Sequence, residues 1–121
     1  MNNIRMDHVY NHLAHTLIIG PALVLIGMKP EFLTQYLPDY SYKIILGVGL
    51  FVLGYHLYRA YKKVSEKGFA SAWVNYIHIL LVAPILIAIG YLGKDVPRYV
   101  RELCMMLGFA AIGYHGYYLF V

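Results

Sequence analysis

Four apolar segments of this 121-residue chain each carry one histidine well inside their length. An ionisable side chain within an apolar helix is costly, so it usually has a function. Imidazole is the commonest metal ligand in proteins, and a pair of imidazoles can hold a haem iron. The sequence therefore predicts a site for haem b or for a divalent metal ion. Its candidate ligands are His15, His56, His78 and His115.

Two further histidines precede His15 on one helical face. His8, His12 and His15 follow the spacing i, i+4, i+7, which places them on the same side of a helix. They are additional candidate metal ligands, although the alternative is that His8 and His12 only sit among lipid headgroups. Asn75 precedes His78 in the same way as His12 precedes His15, and is a candidate hydrogen-bond partner for the site.

Glycines and prolines recur at fixed distances from these histidines. Gly49 and Gly108 each lie seven residues before a histidine and share its helical face. They are candidate cofactor-binding positions, where a missing side chain leaves room for a plate-like group; the alternative is close helix packing. Pro21 and Pro84 each lie six residues after a histidine, where they are expected to kink both helices alike.

Tyrosines surround the histidines of the second and fourth segments. They could donate hydrogen bonds to an imidazole or to a ligand, or they could anchor the helix ends in the interface. Arg59, one turn after His56, is placed to pair with an acidic group such as a haem propionate, or to extend to the membrane surface. The tyrosines that flank the site are Tyr55, Tyr58, Tyr114 and Tyr117.

The segments that must position these residues have the length of membrane spans. Hydrophobic residues make up 60% of the chain and charged residues 13%, far from the composition of a soluble domain. Each segment is close to the ~20 residues that cross a bilayer as a helix. We therefore predict an all-α integral membrane protein with four transmembrane helices. The segments run from about Val9 to Met28, Tyr42 to Tyr61, Phe69 to Leu92 and Tyr99 to Val121.

An internal repeat links the two halves of the chain. HTLIIGPALVLIG at 15–27 matches HILLVAPILIAIG at 78–90 in six of 13 positions. GLFVLGYHLY at 49–58 matches GFAAIGYHGY at 108–117 in five of ten positions, including a Gly-Tyr-His triplet. The pattern predicts a tandem duplication of a helical hairpin with pseudo-twofold symmetry, the repeats covering about 8–63 and 70–121 of one transmembrane domain.

The duplication brings the four histidines to one depth. Two of them lie near the starts of the first and third helices, and two near the ends of the second and fourth. Because neighbouring helices are antiparallel, these positions share one side of the membrane, about 9–15 Å inside its surface at 1.5 Å per residue. The sequence places no aspartate or glutamate deep in any segment, which disfavours a carboxylate di-iron centre.

Three functions remain open at this point. The first is binding of haem or a metal ion, with a role in redox chemistry. The second is a small proton or cation channel or transporter with a histidine-lined constriction. The third is a structural or accessory subunit of a membrane complex. Catalytic residues are not indicated, and the sequence does not settle whether the protein is an enzyme.

The charged residues bear on orientation and partners. Lys and Arg lie in short stretches between the apolar segments, which excludes a nucleic-acid-binding face. The 59–67 stretch holds four of these ten charges, which favours cytoplasmic termini for a multi-pass protein. The expected partners are the lipid bilayer and either a second copy of the chain, as a homodimer, or a larger membrane complex.

Overall fold

A computed structural model of the protein describes residues 2–28, 31, 35 and 40–121, with side chains from residue 5 onward. Every regular element in those residues is helical, which confirms the predicted all-α class. Within the described residues, four helices are long and apolar enough to cross a membrane. The first to fourth helices are Arg5–Met28, Ser41–Lys67, Phe69–Asp95 and Arg98–Phe120.

The first and third helices are built from several pieces, whereas the second and fourth are continuous. The first helix joins α-helix Asn2–Ala14, π-helix His15–Ile19 and α-helix Gly20–Met28. The third joins 3₁₀-helix Phe69–Ala72, α-helix Trp73–Ile77, π-helix His78–Val82, α-helix Ala83–Leu92 and 3₁₀-helix Gly93–Asp95. Gly68, at φ 87°, ends the second helix and lets the chain turn into the third.

Each π segment begins at a histidine and ends just before a proline. Gly20 N–H donates to the His15 carbonyl, and Ala83 N–H donates to the His78 carbonyl, five residues back in both cases. A proline in mid-helix lacks an N–H and its ring crowds the carbonyl four residues earlier. A wider π turn ahead of Pro21 and Pro84 relieves that crowding. The irregularity expected at the two prolines therefore takes the form of a π segment that starts at the candidate ligand.

The most extensive packing joins the first helix to the fourth and the second to the third. Glycines allow both approaches, since small residues let helix backbones come close in a bundle of this kind. A Cβ at Gly108 would lie 2.6 Å from Val24 N of the first helix. A Cβ at Gly49 would lie 2.9 Å from Ile87 N of the third. The closest helix contacts are thus made between the two sequence repeats.

The two ends of the bundle differ in how their interior is filled. A buried apolar cluster occupies the end away from the described N-terminal residues; it comprises Leu23, Ile45, Leu86, Ile89, Val96 and Cys104. Cys104 donates its S–H to the Leu23 carbonyl at 3.4 Å and behaves as a small packing residue. Outward-facing residues in the middle of the helices are also apolar, with Leu17 67% and Leu80 71% exposed, as a lipid-facing surface requires.

Candidate functional site

All six histidines of the chain line one cavity of about 600 Å³. This volume lies within the range typical of small-molecule sites. The cavity lies at the end of the bundle where the first helix starts and the second ends. Its lining residues are Asp7, His8, Asn11, His12, His15, Tyr55, His56, Arg59, Lys63, Trp73, Val74, Asn75, His78, Tyr114, His115 and Tyr118.

His15 and His78 are held by the same local hydrogen bond. The Nδ1–H of His15 donates to the Asn11 carbonyl at 2.8 Å, and that of His78 donates to the Val74 carbonyl at 2.8 Å. A backbone carbonyl accepts but cannot donate, so each ring carries its proton on Nδ1. The neutral ring then keeps the lone pair of Nε2 available. This is how metal-ligating histidines are commonly oriented in proteins.

His56 and His115 are held by side chains of neighbouring helices. The Nδ1–H of His56 donates to Asn75 Oδ1 at 2.9 Å. The Nδ1 of His115 lies 2.8 Å from the Nδ1 of His12, so one of these rings donates and the other accepts. The two contacts occupy matched positions, because Asn75 lies 63 residues after His12.

The four deep rings form two stacked pairs. His15 stacks on His115, with ring centres 4.2 Å apart and planes inclined by 26°. His78 stacks on His56 at 4.0 Å and 13°. The structure therefore brings together the four histidines that the sequence placed in one layer. Each pair joins one ring fixed to its own backbone and one ring fixed from a neighbouring helix.

The two pairs meet through His15 and His78. Their ring centres lie 6.3 Å apart, and their planes are nearly perpendicular at 89°. Two imidazoles that bind one ion from opposite sides, with each nitrogen at ~2 Å, need ring centres about 6 Å apart. The spacing of His15 and His78 thus matches the separation that two such ligands require.

The described side chains are less well arranged to coordinate a metal ion without haem. Within residues 2–28, 31, 35 and 40–121, no three His, Cys, Asp or Glu side chains converge as a group that could hold a metal ion. A structural or catalytic zinc site uses three or four protein ligands. Haem supplies four equatorial nitrogens itself and takes only its axial ligands from the protein.

The four tyrosines predicted to flank the site divide into two that line the cavity and two that face outward. Tyr55 and Tyr114 line the cavity. Each ring stands edge-on to the histidine that follows it, with ring centres 5.1 Å apart for Tyr55 and 5.0 Å apart for Tyr114. Tyr58 and Tyr117 face outward, 62% and 61% exposed. Outward rings near the ends of the second and fourth helices suit the alternative role of interfacial anchors.

The glycines predicted to make room for a cofactor lie in helix contacts instead. Gly49 packs against Leu86 and Ile87, and Gly108 packs against Gly20 and Val24. Neither lines the cavity. A position seven residues from a histidine lies about 10 Å further along the helix at 1.5 Å per residue, below the histidine layer rather than beside it.

The sequence interpretation missed several residues of the cavity wall. Trp73 and Lys63 line the cavity, and so does Tyr118, which stacks on His12 with ring centres 5.5 Å apart. The contact of His12 with His115 was indicated in the sequence, because the residue that matches His12 in the second repeat is also polar, namely Asn75. No comparable pattern marks Lys63, because basic residues at the end of a membrane helix are common.

Comparison of the chain with protein-family models, with curated proteins and with solved structures finds no match.

Proposed function

We propose that this protein binds haem b in a four-helix membrane bundle, with His15 and His78 as the axial ligands. The observation that carries the proposal is the 6.3 Å spacing of these two rings, both oriented by Nδ1 hydrogen bonds that leave Nε2 available. His56 and His115 stack on the axial rings and hold them in place. Bound haem would give the protein a redox-active iron, and a role in electron transfer or redox sensing follows from that chemistry.

Haem fits this cavity better than a bare metal ion does. The described residues contain no converging group of three ligand side chains, and haem requires only two from the protein. The cavity of about 600 Å³ also has space for more than an ion. Arg59 and Lys63 in its wall provide cationic partners for two carboxylates, against the single acidic residue Asp7.

Binding is favoured over conduction by the rest of the bundle. A pore needs a polar path through the membrane, whereas the far end of the bundle is filled by the apolar cluster around Leu86 and Ile89. The two residues are 3% and 0% exposed. A cavity that ends on a buried apolar core is suited to hold a ligand, and no comparable observation on the described residues supports the channel hypothesis.

The proposal includes a duplicated origin and a membrane location. Supporting the duplication are the matched π segments at His15 and His78, and the matched contacts His12–His115 and Asn75–His56. A pseudo-twofold axis along the membrane normal would exchange the first helix with the third. An even number of membrane crossings would place both termini on one side, and the charge of the 59–67 stretch favours the cytoplasm for that side.

The direct test is titration of the purified protein in mild detergent with haemin, followed by visible spectroscopy before and after reduction. We expect one haem per chain and the low-spin spectrum of two axial imidazoles. His15→Ala combined with His78→Ala should abolish that spectrum. His8→Ala is the matched control, because His8 lines the cavity outside the deep layer.

Three results would contradict the proposal. The first is a protein that gives no saturable haem spectrum while remaining helical by circular dichroism. The second is a bis-imidazole spectrum that survives loss of both His15 and His78. Elemental analysis of the same preparation should show no stoichiometric copper or zinc; if either metal is present at one per chain, the bare-metal reading replaces haem.

A further inference from the structure

A second, smaller hollow lies beside the cavity, between the third and fourth helices. This cleft has a volume of about 210 Å³ and shares five wall residues with the cavity, among them His78 and His115. The two hollows therefore adjoin each other at the histidine layer. The wall residues found only in the cleft are all apolar; they are Ile77, Val82, Leu107, Ala110 and Ala111.

Small side chains open the cleft in the second half of the chain. Ala110 and Ala111 lie 59 residues after Phe51 and Val52, their matches in the first repeat. The second half thus has two small residues where the first half has larger ones. The third and fourth helices also pack less extensively than the first and fourth or the second and third. The cleft follows from the local sequence and from this looser helix pair.

We propose that the cleft receives the apolar edge of the bound haem, while its carboxylate edge lies toward Arg59 and Lys63. This inference rests on the proposed function and adds the orientation of the ligand. Haem b is an amphipathic plate with two propionates on one edge and methyl and vinyl groups on the others. The site has a matching division, since its cationic residues line the cavity and the residues found only in the cleft wall are apolar.

The position of His78 links the two parts of the site. His78 lines both the cavity and the cleft and is one of the two proposed axial ligands. A plate whose iron lies beside His78 therefore has an apolar hollow within reach of its rim. The cleft has about a third of the cavity's volume, so it can take the rim substituents but not the whole ring.

The test compares haemin with deuterohaemin, in which hydrogen replaces both vinyl groups. Burial of apolar carbon stabilises a complex in proportion to the area removed from water, and partial burial of two vinyl groups corresponds to about a tenfold difference in Kd. We expect the unaltered protein to bind haemin about tenfold more tightly than deuterohaemin. Both ligands keep the iron and the propionates, so the comparison isolates the rim.

Ala110→Phe introduces the residue of the first repeat and should reduce the preference for haemin to less than twofold. Ala111→Val is a milder variant, to be used if Ala110→Phe folds poorly. It should reduce the preference for haemin by a smaller amount. Met106→Phe is the matched control, because Met106 lies on the same helix, is 61% exposed and lines neither hollow. It should keep the full preference, with circular dichroism and gel filtration reporting the fold of each variant.

The outcomes separate the two proposals. If both haems bind equally well to the unaltered protein, or if Ala110→Phe and Ala111→Val keep the preference, the orientation is wrong and haem binding stands. Equal loss of preference in Met106→Phe would also overturn it, since the effect would not be local to the cleft. If neither haem gives a saturable spectrum, the proposed function fails and this inference fails with it.

Discussion

The imidazole of His56 lies flat against that of His78, with ring centres 4.0 Å apart and planes inclined by 13°. His115 has the same relationship to His15 at 4.2 Å and 26°. A ring stacked face to face on a ligand does not direct its own nitrogen along the same line. Under the proposed haem-binding function, the four deep histidines therefore have two different roles, in which His15 and His78 coordinate and their stacking partners support them.

This difference predicts unequal effects of alanine substitution. His15→Ala or His78→Ala should convert the haem from six-coordinate low-spin to five-coordinate high-spin iron. His56→Ala or His115→Ala should leave the low-spin spectrum in place and weaken haemin binding by about tenfold, which corresponds to ~1.4 kcal/mol of lost packing and orientation. Visible spectra, electron paramagnetic resonance and haemin titration provide the readouts. The reverse pattern would assign the axial role to His56 and His115.

Asn75 is predicted to position His56 rather than to bind the ligand. It is 5% exposed and accepts the Nδ1–H of His56. Asn75→Leu would leave that N–H without its acceptor, at a cost of about 1–3 kcal/mol in the free energy of unfolding. We expect a lower thermal midpoint and weaker haemin binding with an unchanged low-spin spectrum.

The matched control for Asn75→Leu comes from the other half of the site. His12→Asn replaces His12 with asparagine, the residue type that Asn75 provides at the equivalent position of the third helix. Its amide oxygen can accept from the Nδ1–H of His115, so stability and haemin affinity should change little. A loss as large as that of Asn75→Leu would mean that His12 contributes more than a hydrogen-bond acceptor.

Glycine substitutions should separate helix packing from ligand binding. A Cβ at Gly108 would lie 2.6 Å from Val24 N and 2.7 Å from the Gly20 carbonyl oxygen, whereas a Cβ at Gly113 meets nothing within 4 Å. Gly108→Ala should destabilise the protein by about 1–3 kcal/mol through overpacking. Gly113→Ala on the same helix should be neutral or stabilise it by up to ~1 kcal/mol, since alanine favours the helix.

The readout for this pair is unfolding in mixed detergent micelles by increasing dodecyl sulfate, followed by circular dichroism. The haem spectrum of folded Gly108→Ala should match that of the unaltered protein, because Gly108 does not line the cavity. A shifted spectrum without loss of stability would restore the interpretation of Gly108 as a cofactor-binding position. Gly49→Ala and Gly54→Ala provide the same comparison on the second helix.

Hydropathy and segment length predicted the helices well, because the ~20-residue requirement of a bilayer is strong and local. The expected first segment began at about Val9, whereas the helix begins at Asn2 in the structure. The expected second segment ended at about Tyr61, and the helix continues to Lys67. Both differences lie at polar ends, where helices extend into the interface and hydropathy alone sets no boundary.

The histidine layer was also predictable, since depth along a helix follows from counting residues. The partners of the rings were not, because they depend on which helices pack together. The repeat pointed to hairpins, yet Gly108 packs against Gly20 of the first helix and Gly49 against the third. Contacts such as His12–His115 arise from that packing between repeats, and no spacing within one segment encodes them.

Arg59 is predicted to bind a carboxylate of the ligand. It lines the cavity together with Lys63, and a guanidinium pairs well with a carboxylate. Arg59→Gln should weaken haemin binding by about three- to tenfold, since an ion pair open to solvent contributes up to ~1 kcal/mol and a partly shielded one somewhat more. The same substitution should not change the affinity for the dimethyl ester of haemin, because the ester lacks both carboxylate charges.

Salt provides an independent measure of the same contact. Raising ionic strength should weaken haemin binding to the unaltered protein, because exposed charges are screened over about 10 Å at 0.1 M salt. The dependence should be smaller for Arg59→Gln and nearly absent for the ester. Arg98→Gln is the control, since Arg98 pairs with Glu102 outside the cavity. If the ester and the free acid lose affinity equally in Arg59→Gln, Arg59 acts through the fold of the second helix and the propionates lie elsewhere.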